Sequence, residues 1–126
     1  MKSRQIDLSR PVAGTYLFTG ALAQRGYRLN KFCMSLTDAA NRAAFKEDED
    51  AYMDRHRLGE EEKALVRARD WLGMVRHGAC AFMVFKVSGA TGFGLAATGA
   101  QMRGETLEEY LATRNVNKLV ATLKEF

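Results

Sequence analysis

The stretch Gly59-Glu60-Glu61-Glu62-Lys63-Ala64-Leu65-Val66-Arg67-Ala68-Arg69-Asp70-Trp71-Leu72-Gly73-Met74-Val75-Arg76-His77-Gly78 decides the fold. Three glutamates open it, where the positive end of a helix dipole favours anions. Arg76 and His77 close it, where the negative end favours cations. Between them Leu65, Ala68, Leu72 and Val75 recur at i, i+3, i+7 and i+10. This spacing predicts one long amphipathic helix, reset by Gly59 and closed by Gly78 as its cap.

The same helical period extends in both directions. Upstream, Thr19 caps a short helix through Gln24 that Gly26 ends, and Leu29, Phe32, Cys33 and Leu36 form one apolar face. Asp38 or Thr37 then caps a helix carrying Ala39, Ala40, Ala43 and Ala44, along which Phe45 and Tyr52 share a face two turns apart. Downstream, Ala79-Cys80-Ala81-Phe82-Met83-Val84-Phe85 lacks the alternation of a half-buried strand, and its alanines favour a buried helix. Gly89, Gly92, Gly94, Gly99 and Gly104 make Ser88–Gly104 a long loop, of the kind that carries function or is ordered by a partner. Thr106 and Glu109 form a capping box for another helix, and Asn115 caps a last one through Leu119, Val120 and Leu123. Residues 1–13 hold the one proline, Pro11, and read as an N-terminal arm. The whole is an all-α chain, a single compact domain of about six to seven helices over residues 14–126, with an arm and a glycine-rich loop.

Composition limits what such a domain can do. The chain has 126 residues, 47% hydrophobic and 27% charged, enough to build a core without disulfides or metal staples. Its longest apolar stretch, Ala79–Phe85, falls far short of the roughly 20 residues that cross a bilayer. The segment Met1-Lys2-Ser3-Arg4-Gln5-Ile6-Asp7 lacks the apolar centre of a secretory signal, which predicts a cytoplasmic protein with Cys33 and Cys80 reduced. The net charge of +4 comes from scattered residues: Arg25, Arg28 and Lys31 on one segment, Arg55, Arg57, Arg67 and Arg69 among acids on another. Nucleic-acid binding usually needs a stripe of one sign, so a mixed-charge surface facing a protein partner or an anionic substrate is the expectation.

Few residues could carry catalysis. His56 and His77 could be combined with an acid into an iron site, but neither has a partner at helical metal spacing, and His77 fits a helix-end cation. Both cysteines lie in apolar sequence and read as core thiols. The run Glu47-Asp48-Glu49-Asp50 lacks the glycine turn and spaced oxygens of a calcium loop and reads as a solvated face. Gly92-Phe93-Gly94 has no lysine-serine pair to make a phosphate loop, so its glycines are expected to let backbone lie close to another surface.

A further string of residues is more specific. It runs Gly14-Thr15, Phe18, Arg25-Gly26-Tyr27, Leu29-Asn30, Phe32, Met34-Ser35-Leu36, Asn41-Arg42, Phe45-Lys46, Asp48-Glu49, Ala51-Tyr52, Asp54 and Ala68-Arg69-Asp70, with Gly99, Met102, Thr106 and Glu108-Glu109-Tyr110 beyond. From about Gly14 to Leu111 the chain resembles the small, alpha (LigA-type) subunit of the protocatechuate 4,5-dioxygenase family of extradiol ring-cleavage enzymes. The resemblance implies a helical chain with no catalytic or metal-binding residue of its own. It would pack, as heterodimer or heterotetramer, over a larger beta subunit that holds Fe(II) and the catalytic base, with a catechol-type aromatic acid bound at the shared site. It also implies that Phe93 lines that site, the alternative being a loop phenylalanine tucked into the domain's own core. Where the family has Gly-Gly-Asn this chain has His77-Gly78-Ala79, and the family's Asp-Gly-Lys-Ser-Phe is replaced by Ala90-Thr91-Gly92-Phe93. A glycine-rich tail gives way to Asn115–Phe126. These departures leave a stand-alone helical binding module without dioxygenase activity as the alternative.

Overall fold

A computed structural model describes Ala13 and residues 17–114. The rest of the expected N-terminal arm and the helix expected from Asn115 lie outside the described residues. Within them the chain is all-helical: α1 Gly20–Arg25, α2 Tyr27–Ser35, α3 Ala39–Glu47, α4 Glu49–Arg55, α5 Glu60–Arg67, α6 Trp71–His77, α7 Ala81–Ala90, α8 Leu95–Arg103 and α9 Leu107–Ala112. Helix α7 packs on α2, α6 and α8, while α3 pairs with α4, α5 with α6 and α8 with α9.

The stripe predicted on α2 holds, since Leu29, Phe32, Cys33 and Leu36 are all buried. Phe45 and Tyr52 join them, with ring centroids 5.8 Å apart and Phe32 5.6 Å from Phe45. They reach this cluster from two helices rather than one. Asp48 ends α3 and caps α4, its carboxylate accepting from Ala51 N at 3.0 Å. One of the acids read as a solvated run is therefore a helix cap.

The long helix expected from Glu60 to His77 is also two. Arg69 adopts a left-handed conformation (φ 54°) that turns the chain between α5 and α6, and Asp70 caps α6 by accepting from Gly73 N at 2.8 Å. The turn shifts the helical phase, so the buried stripe differs from the predicted one. Val66, Trp71 and Met74 are fully buried, whereas Ala68 is exposed and Leu65, Leu72 and Val75 are only partly covered. Backbone groups freed at the break find side-chain partners. The Gln101 amide oxygen accepts from Trp71 N at 2.8 Å and its Nε2 donates to Arg69 O at 2.6 Å. The Arg69 guanidinium pairs with both carboxylate oxygens of Glu49, at 2.5 and 3.1 Å, so a bidentate ion pair holds this strained residue to α4.

The segment read as a glycine-rich loop is mostly helix. α7 continues to Ala90, Gly94 leads into α8, and Gly104 in the left-handed region (φ 69°) ends it, so only 91–94 links the two. The small residues serve packing: a Cβ on Gly99 would come within 2.8 Å of the Tyr110 hydroxyl of α9. The Thr106–Glu109 capping box forms as predicted, in both directions.

One contact joins distant corners of the chain. Gly26, between α1 and α2, lies against Gly78, which ends α6 at φ 122°, and a Cβ on Gly26 would stand 2.1 Å from Gly78 O. Around it Arg25 donates to His77 O (2.8 Å) and Arg76 O (2.6 Å). The Asn30 amide donates to Gly78 O at 3.2 Å and accepts from Cys80 N at 2.8 Å. Carbonyls left open at the C-terminus of α6 are thus capped by Arg25 at the end of α1 and by Asn30 of α2.

Candidate functional site

The α7–α8 turn carries Phe93. Phe93 N donates to Ser88 O at 2.9 Å, and the Thr91 hydroxyl donates to Val87 O and Ser88 O, closing the end of α7. Gly92, at φ 86°, supplies the left-handed residue that a tight turn needs at this point. The Phe93 ring stands edge-on to Trp71, with centroids 5.3 Å apart and planes at 78°, and stays 38% exposed. Its inner edge is fixed by the domain's own core while its outer side faces away from it. Trp71, fully buried at the start of α6, is the support that sequence reasoning passed over; the one available sign was its place as the chain's single tryptophan, next to the capping Asp70.

Beside the turn lies a cleft of about 230 Å³ bounded by Phe45, Lys46, Glu49, Arg69, Ala90, Thr91 and Gly92. Apolar side chains are also strongly exposed on the helices that flank the turn, Phe82 on α7 at 79% and Leu95 on α8 at 71%. The reading of Ala79–Phe85 as a buried helix holds for the helix and in part for the burial: Ala79 and Val84 are buried, but Ala81 and Phe82 face outward.

The two histidines occupy separate settings. His56 ends α4 among aromatic rings, 5.0 Å from Tyr52 and 5.8 Å from Phe32. Burial, assisted by the charge of Arg55, holds its pKa below the usual imidazole range. His77 is buried at the end of α6, with Nε2 3.5 Å from a Glu62 carboxylate oxygen and Nδ1 3.7 Å from one of Glu61. Among the described residues no three His, Cys, Asp or Glu side chains are grouped to hold a metal ion.

The thiols differ from each other. Cys33 is buried in the core and burial pushes its pKa up to about 12. Cys80, expected to be buried as well, is exposed at the start of α7. Ellman's reagent at pH 8 should therefore release one equivalent of thiol from the folded chain and a second only in denaturant. Two equivalents released at the same rate without denaturant would contradict the packing around Cys33.

Comparison with known proteins gives this geometry a family. The model of the aromatic-ring-opening dioxygenase LigAB, LigA subunit, matches residues 29–115. The chain belongs to the LigA subunit family. It is also 33% identical over 111 residues to gallate dioxygenase of Pseudomonas putida, an alignment that covers 88% of this chain and 33% of the relative. This LigA chain thus spans about one third of the length of the curated relative it matches.

The residues that carry the family resemblance act here as fastenings. Arg25, Gly26 and Asn30 hold the end of α6. The Asn41 amide donates to Ser35 O at 2.8 Å, and Arg42 donates to Leu36 O and Thr37 O, capping α2. Glu49 and Arg69 lock the α5–α6 break. Together they shape the LigA domain and hold Trp71 under the Phe93 turn.

Proposed function

We propose that this LigA chain is the non-catalytic alpha unit of a two-part, Fe(II)-dependent extradiol dioxygenase that opens an aromatic ring. In this reading it closes an active site carried by a larger catalytic chain. The observation that carries the proposal is the family match over residues 29–115. The length relation supports it: a gallate dioxygenase contains a region like this chain within a polypeptide about three times as long, leaving ample chain to house the chemistry. Exposed Phe82, Phe93 and Leu95 supply apolar surface that a partner would cover. The bound metal would supply oxygen activation on the larger chain. This chain's part would be to exclude water and limit the orientations of a catechol-type aromatic acid, with Phe93 as an apolar wall.

The test is co-expression with a candidate large chain, co-purification, and oxygen uptake on a panel of catecholic acids. Stable co-purification with ring-opening activity is expected, and the absence of any complex would favour the stand-alone module. Within the complex, Phe93→Ala should raise KM several-fold or broaden the substrate range while iron content stays constant. An unaltered specificity profile would remove Phe93 from the shared site.

A further inference from the structure

The fold gathers cations that look scattered along the chain. A cleft of about 320 Å³ is lined by Tyr27, Arg28 and Lys31 of α2 and by Arg55, His56 and Arg57 at the end of α4, with no carboxylate among them. Arg57 is left-handed (φ 56°), and its carbonyl lies 3.4 Å from Arg28 Nη1, which ties the two walls together. Four cations elsewhere answer acids, Lys63 with Asp54, Arg67 with Asp50, Arg69 with Glu49 and Arg103 with Glu105, while Arg25 and Arg42 are engaged by backbone carbonyls. Arg28, Lys31, Arg55 and Arg57 have no acid partner among the described residues. Four like charges converging on one concavity repel each other and raise the local concentration of anions.

Two of these cations are also held in place. The Lys31 ammonium sits 5.1 Å from the Tyr27 ring centroid and the Arg55 guanidinium 5.6 Å from that of Tyr52. Such stacking lowers the entropy lost when the charge engages a ligand. His56 also lines the cleft, and burial, assisted by the charge of Arg55, lowers its pKa, which favours a neutral imidazole able to donate or accept a hydrogen bond. The size lies at the lower end of small-molecule sites, roughly 300–1,000 Å³. A compact patch rather than a stripe argues against a nucleic-acid strand.

We infer that the α2–α4 cleft binds a small ligand bearing two or more oxyanion charges, carboxylate or phosphate. Its chemistry is independent of any ring-opening role. The test titrates the full chain with inorganic pyrophosphate, benzene-1,3,5-tricarboxylate and acetate at matched ionic strength, by calorimetry and thermal denaturation. One or both multivalent anions should bind at one equivalent, raise Tm and weaken as salt is added, while acetate does neither. The tighter of the two identifies the phosphate or the carboxylate source. The double substitution R28Q/K31Q should weaken binding by about tenfold or more, and Lys86→Gln on α7 should leave it unchanged. If the double variant does not fold by circular dichroism, Arg55→Gln takes its place with the same expected loss. No Tm shift beyond that of acetate, equal loss in Lys86→Gln, undiminished binding in the cleft variants, or binding of a dodecathymidylate strand when neither small anion binds would each overturn the assignment.

Discussion

Gly26→Ala should cost about 3 kcal/mol of stability or more, although it adds one methyl group. The Cβ would be placed 2.1 Å from Gly78 O and 2.3 Å from Gly78 C, and both are backbone atoms that cannot swing aside as a side-chain end can. Gly78→Ala should be at least as damaging. Its Cβ would meet Leu22 O at 2.3 Å, and φ 122° is a conformation that L side chains rarely adopt. Because the two substitutions break the same contact, their effects in the double variant should fall well short of additive. Gly89→Ala is the internal control, since that exposed position on α7 has nothing within 4 Å of an added Cβ. It should gain about 0.5–1 kcal/mol from helix propensity. Thermal and urea unfolding followed at 222 nm would measure all four. A Gly26→Ala protein melting within a degree or two of the parent would mean that the two corners are not in contact.

Trp71→Ala should be the most damaging truncation in the core, at about 3–5 kcal/mol. Trp71 is the largest fully buried side chain, and it lies at the α5–α6 break under the Phe93 ring. Its loss would open a cavity beside α8 and free the turn from its anchor. Trp71→Phe should cost less than half as much. It retains an aromatic edge for Phe93 and removes an indole Nε1 that is buried without a hydrogen-bond partner, a group whose desolvation is otherwise uncompensated. Urea denaturation separates the two variants. Equal losses would show that the indole NH is satisfied after all.

The sequence shows which residues are helical more clearly than it shows where helices break. The α2 stripe is legible because its four apolar residues keep one phase from Leu29 to Leu36 and all reach the core. The α5–α6 break is hidden by the residue that makes it. A left-handed arginine leaves no mark in a sequence, since Arg69 holds its conformation through Glu49 twenty positions away and through Gln101 on α8. Asp48 and Asp70 do carry a cap signature, but each sits among other charges, where a solvated surface explains them equally well. Helix α8 was obscured for a different reason. Glycine and alanine mark a loop by propensity, yet here they permit close approach, with Gly99 against Tyr110 and Thr98 and Ala100 buried. At the candidate site, Phe93 could be named from the resemblance and its support by Trp71 could not. The cationic cleft was equally hidden, because only the return of α4 against α2 brings Arg55 and Arg57 beside Arg28 and Lys31.

The fastening at Gly26 bears on where this domain begins as a physical unit. The family match starts at Leu29, inside α2 and past Arg25 and Gly26. A chain trimmed to that boundary would keep the apolar stripe and lose the guanidinium that closes α6. It would also lose the backbone surface against which Gly78 rests. Removing α1 and Gly26 should therefore lower the stability of the domain even with the segment by which the family is recognised kept whole.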